Sequence, residues 1–169
     1  MVLTKIWITL KSKRIKTMDG IKIRPALLSD LPVLQKFEQG VIQAERPLDP
    51  TIKKDPVHYY DLESMILDKD VAVMVAEYED RIVASGYGMA KTARHYLDHT
   101  YYAYLGFMYT NPEFRGRGVN QKILSALKNW AISKDLTEIR LTVYEDNPGA
   151  LRAYEKFGFK RHIIEMRLT

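Results

Sequence analysis

Cysteine is absent from this chain of 169 residues. Disulfides, zinc–thiolate centres and a thiol nucleophile are therefore excluded, and any chemistry falls to oxygen and nitrogen groups. Long hydrophobic runs are missing as well. Near the start, Val2, Leu3, Ile6, Trp7, Ile8 and Leu10 are interrupted by Lys5 and followed by Lys11, Lys13, Arg14 and Lys16, which is not the pattern of a secretory leader. No stretch reaches the roughly 20 apolar residues that span a bilayer. The expectation is a cytoplasmic protein with no membrane partner.

What the chain does have is a hydrophobic fraction of 46% and a formal net charge of +5. The hydrophobic fraction suits one compact core. Residues 1–20 read as a basic N-terminal extension and residues 21–169 as a single domain. The positive charge crowds the first 24 residues, and an anionic small molecule would also favour basic side chains. No organised basic and stacking surface is evident, so no nucleic-acid partner is expected.

Periodicity divides the domain into alternating strands and helices. Ile21 and Ile23 alternate with Lys22 and Arg24 as in a short strand. Ser29 stands as an N-cap before Leu31, Leu34 and Phe37, a helical face ending near Gly40. Residues 45–56 read as a surface loop and 58–68 as a helix. Residues 71–76 and 82–89 read as strands around a turn at Glu79 and Asp80. Residues 101–109 form an aromatic strand in which Gly106 suggests a bulge. A helix over 119–134, a strand over 139–143, a helix over 148–157 and a strand over 159–168 complete a mixed α/β sheet covered by helices.

The most informative segment is Arg115-Gly116-Arg117-Gly118-Val119-Asn120, between the aromatic strand and the helix whose apolar face is Ile123, Leu124, Leu127, Trp130 and Ala131. Two glycines allow a sharp turn that aims successive N–H groups at one point, and a helix start adds roughly half a positive charge. With Arg115 and Arg117 this describes a pyrophosphate cradle. It matches neither common nucleotide motif. Gly-Lys-Ser/Thr is missing, and Gln121 stands where a dinucleotide fold places its third glycine. Downstream, Asn147 suits an N-cap, Pro148 the first helical position and Gly158 the helix end. Tyr154 lies on that helix's inner face, toward the core or toward a cleft beside it.

These two motifs together, at this separation, resemble the GNAT superfamily of acyl-CoA-dependent N-acyltransferases from about Ile21 onward. The resemblance implies a mainly antiparallel sheet splayed between its fourth and fifth strands, with acetyl-CoA lying in the opening. Met108, Tyr109 and Thr110 would offer backbone contacts, residues 115–120 would hold the pyrophosphate, and Asn147 would contribute to cofactor binding. Asn120 replaces the small residue that ends the family's turn pattern. The implied function is N-acetyltransfer from acetyl-CoA to a primary amine of a small molecule or peptide, by direct transfer in a ternary complex. The alternative is an acyl-CoA-binding sensor without catalysis.

A lysine-like amine costs about 4 to 5 kcal/mol to deprotonate at neutral pH, so the site must assist. Tyr154 is the candidate proton donor to the leaving thiolate, and a strand amide near Met108 the candidate oxyanion-type donor. Among the carboxylates, Glu77, Glu113, Glu145 and Asp146 do not stand out as a base. Tyr102 and Tyr104, on one face of the aromatic strand, and Glu45, in the loop of the acceptor side, are candidates for binding the amine. His95 and His99 lack a metal-ligand partnership, and no metal is expected. The aromatic and terminal strands would let two chains pair as a homodimer.

Overall fold

The computed structural model describes residues 20–168. Most of the basic extension, residues 1–19, therefore lies outside the described residues. Five strands form one sheet in chain order: β1 (Lys22–Pro25), β2 (Val71–Tyr78), β3 (Arg81–Thr92), β4 (Tyr101–Thr110) and β5 (Ile139–Leu141). The first four are antiparallel, whereas β5 joins β4 in parallel. The hairpin between β2 and β3 turns through Glu79 and Asp80, both at positive φ (48° and 58°), the geometry that matches strand twist.

Helices cover both faces. On one, α3 (Val119–Ser133) buries Val119, Ile123, Leu124 and Leu127 against Ala84 and Leu105, and Ala131 against Ala103, joined by α4 (Pro148–Phe157). On the other, α1 (Leu31–Glu45) and α2 (Leu62–Leu67) bury Leu34, Phe37 and Leu62 against Val73, Val75 and Phe107. Alternation along β2 to β4 feeds both cores, as expected of a sheet covered on both sides.

Four expectations are corrected. Helix α1 does not stop at Gly40 but runs on to Glu45. Gly40 is required there by contact, since a Cβ would lie 2.5 Å from the Tyr109 ring, and that ring stacks on Phe37 with centroids 4.5 Å apart. Ser29 is not an N-cap, because residues 28–30 form a 3-10 turn and Pro32 occupies the first turn of α1. Asp30 is taken instead by Arg24, at 2.7 and 3.1 Å, and by the Leu27 amide at 2.8 Å. The helix expected over 58–68 is confined to Leu62–Leu67, capped by Asp61, which accepts from the Ser64 amide. Residues 159–168, expected as a strand, form no ladder among the described residues.

Candidate active site

Strands β4 and β5 pair only at Ala103–Ile139, Tyr104–Arg140 and Leu105–Leu141. Beyond Leu105, β4 continues to Thr110 with no strand on that side among the described residues, and the chain after β5 turns toward α4. The sheet is thus splayed between its fourth and fifth strands. The register with β3 jumps from Tyr87–Gly106 to Ser85–Tyr109, and Phe107 takes a positive φ of 54°. This is the bulge suggested at Gly106, and it lies in the stretch of β4 beyond its pairing with β5. Met108 and Tyr109 send their side chains to opposite cores, leaving their backbone at the open edge.

Immediately beyond β4, Arg115 donates from Nε to the Thr110 carbonyl at 3.0 Å, tying the turn to the strand end. Gly116 and Gly118 both adopt left-handed φ (71° and 79°), and a Cβ on either would meet nothing within 4 Å. The turn is open where a ligand backbone would approach. Gly118 caps α3 without a side-chain bond, which leaves the helix's first amides for an anion. The Arg117 guanidinium lies 5.9 Å from the centroid of the Phe114 ring, so this cation is held at the rim. Val119 is buried, and Asn120 follows it in the first turn.

Helix α4 brings the other half. Asn147 accepts from the Ala150 amide at 3.1 Å as an N-cap, and Gly158 ends the helix at φ 115°, as the sequence indicates. Gln121 of α3 donates to the Ala153 carbonyl at 2.9 Å. That bond fixes the residue before Tyr154 relative to the phosphate-type turn, a role that the local sequence pattern does not reveal. Tyr154 is half-buried, with Phe159 edge-on at 6.0 Å. Burial foremost, then the charge of Glu45 and the neighbouring Tyr104, pushes its phenol up to about 12.

Those causes also show which expected residues converge. Glu45 and Tyr104 belong to the surroundings of Tyr154, with Tyr104 donating to Thr142 Oγ1 at 3.0 Å beside the split. Tyr102 stands one pleat away, its ring under Arg140 at 4.2 Å, within a group that includes Glu138 and His99. Glu45 ends α1, half-buried. Burial raises its pKa, a hydrogen bond from the Tyr59 hydroxyl lowers it, and nearby Asp49 raises it. Tyr59 is itself pushed up to about 12, chiefly by burial and then by Glu45. Tyr60 packs against Tyr87 and Phe107, at 5.5 and 5.2 Å. Asp49 is 6% exposed and accepts from Arg167 at 2.6 and 3.0 Å, from Thr51 and from Tyr144. These partners, Arg167 foremost, hold its pKa well below the usual carboxylate range.

Among the described residues no group of three His, Cys, Asp or Glu could hold a metal ion, and no helix is long and apolar enough to cross a membrane.

Comparison with known proteins agrees with this architecture. The sequence model of the Acetyltransferase (GNAT) family matches residues 39–159. The chain belongs to the GNAT acetyltransferase family. A curated relative, the acetyltransferase ECA0875 of Pectobacterium atrosepticum, is 31% identical over 90 residues, covering 52% of this chain and 56% of that protein. The match therefore spans little more than half of the relative. A predicted acetyltransferase with acetyl-CoA from Clostridium acetobutylicum superposes with a TM-score of 0.67 at 19% identity, covering 88% of this chain and 96% of that one. The BH1408 protein of Bacillus halodurans, as a tetramutant, superposes at 0.77 with 18% identity, covering 88% and 99%. At such identities these two structures speak for the fold alone.

Proposed function

We propose that the chain transfers the acetyl group of acetyl-CoA directly to a primary amine of a small molecule or peptide, with both substrates bound together. The observation that carries this is the joining of an open, left-handed glycine turn at the start of α3 to a buried phenol on α4, across the mouth of the split sheet. Residues Arg115 to Asn120 would hold the pyrophosphate, the backbone of Met108, Tyr109 and Thr110 would meet the pantetheine, and Asn147 would border it. Acetyl-CoA supplies the thioester. The C–N bond forms as the C–S bond breaks, and the electron pair leaves with sulfur. Tyr154 is the chain's donor toward that sulfur, and with a pKa of about 12 it stays protonated throughout the neutral range.

On the acceptor side the tyrosines around Glu45 make a polar-rimmed aromatic enclosure with a carboxylate in it, which suits a cationic amine. Glu45 would hold the ammonium end and take up the proton the nitrogen gives up, and Tyr102 and Tyr104 would border the amine. Because burial raises the Glu45 pKa, its carboxylate is lost to protonation at a higher pH than an ordinary glutamate. The acid limb of kcat/KM for the amine should accordingly lie above the usual glutamate value of about 4.3. Glu45→Gln should lower kcat/KM roughly tenfold or more and remove that limb. A pH–rate profile of both proteins measures this, and an unchanged limb in the variant would exclude Glu45 from the role.

The reading is tested by incubating the chain with acetyl-CoA and a panel of cationic amines, following product by mass. Intersecting initial-velocity patterns support direct transfer, and parallel patterns with an acetylated chain contradict it.

We also propose a homodimer. Ile163, Ile164, Met166 and Leu168 of the C-terminal segment are 70%, 85%, 90% and 103% exposed, while Arg161 and Arg167 hold the segment to Glu145, Glu155 and Asp49. An uncovered apolar stretch of this kind usually marks an interaction site, and a second copy of this chain is its simplest complement. Light scattering at micromolar concentration should give twice the chain mass, falling to one chain for Met166→Glu. A monomeric wild type would contradict the proposal.

A further inference from the structure

The carboxylate of Glu38 takes no part in the chemistry above, yet it is among the most deeply buried polar groups, at 1% exposure. Its Oε1 accepts from the backbone amides of Tyr59, at 2.7 Å, and Tyr60, at 2.9 Å. Oε2 lies 2.8 Å from His58 Nδ1. The next residue, Gln39, donates to the Val57 carbonyl at 3.0 Å. A buried carboxylate is costly unless strong hydrogen bonds satisfy it. Packing alone does not call for one here, since α1 already buries Leu34, Phe37 and Ile42.

These bonds dictate the path of residues 57–60. They tie these two amides to α1, and the segment stays irregular until Asp61 caps α2. Two side chains of the enclosure depend on that path. The Tyr59 hydroxyl bonds Glu45, and the Tyr60 ring packs on Phe107 at the β4 bulge.

We infer that Glu38 is a positioning residue for the acceptor. It touches neither substrate, but it fixes the backbone that places Tyr59 on Glu45 and Tyr60 at the bulge. This rests on the acceptor site proposed above, and it adds the element that sets the site's shape from 20 residues away.

The test compares Glu38→Gln with Glu38→Ala in the full chain. Gln keeps an oxygen for the two amides, whereas Ala removes both bonds. Ala should lower kcat/KM for the amine roughly tenfold to hundredfold, mostly through KM, while acetyl-CoA affinity stays within about twofold. Gln should restore most of the loss. Hydrogen exchange at the Tyr59 and Tyr60 amides should speed up in Ala and not in Gln. If Ala does not fold, Glu38→Met supplies the acceptor-free side chain at similar length. Faster exchange in a folded variant with wild-type kcat/KM would overturn the inference alone, as would Gln failing as badly as Ala. A wild-type chain that acetylates no amine would overturn the acceptor site and this inference with it.

Discussion

Replacing Tyr154 with Phe should slow the chemical step about a hundredfold, the scale of a lost general acid, while leaving acetyl-CoA affinity nearly unchanged. The substitution keeps the ring that packs beside Phe159 and removes only the hydroxyl, so a fold defect is not expected. The phenol's pKa of about 12 gives the sign of the pH behaviour. The group is protonated at every pH at which the chain would work, so Tyr154 should add no alkaline limb below that value. A reference thiol has a pKa near 8.5, so full proton transfer from this phenol is uphill unless the same burial also raises the thiolate. A hydrogen bond that strengthens as charge builds on sulfur meets that constraint, because it acts mainly in the transition state. Single-turnover quench of wild type and variant measures the effect. An unaltered rate would remove Tyr154 from the reaction.

Gly118→Val should weaken acetyl-CoA binding by at least tenfold. At φ 79° a β-branched residue is strained by roughly 1 to 2 kcal/mol, so some loss of thermal stability is expected. Inside the protein the new side chain would find open space, since nothing lies within 4 Å of the Cβ position. It would instead project where a phosphate must approach the amides at the start of α3. Calorimetric titration of both proteins separates the two effects. A lower Tm with unchanged affinity would mean that the turn is structural and not a cradle.

The parts of the site that were legible in the sequence are those encoded within a few residues. Glycines beside Arg115 and Arg117 announce an open turn, and Asn147-Pro148 with Gly158 brackets α4, because caps and left-handed positions are local requirements. The Glu79-Asp80 hairpin and the Gly106 bulge are local for the same reason. What escaped depends on partners far along the chain. Helix α1 runs through Gly40 because the Tyr109 ring, 69 residues on, fills the space of a side chain. Residues 58–60 are not helical, and the amides of Tyr59 and Tyr60 go to Glu38, 21 and 22 residues back. Arg167 reaches Asp49 across 118 residues, which no periodicity records. The alternation of Ile164, Met166 and Leu168 is that of a strand, yet a strand also needs an edge to pair with, and the described residues give this segment none. Of the acceptor candidates, Glu45 and Tyr104 gather near Tyr154, whereas strand alternation alone does not record that both rings lie against cations, Tyr104 under Lys91 and Tyr102 under Arg140.

Acetyl transfer to an amine is read out by release of free thiol from acetyl-CoA across a panel of cationic amines. Thiol release should depend on both chain and amine and be matched mole for mole by acetylated product. Tight binding of acetyl-CoA with no release above the uncatalysed rate across the panel would contradict it.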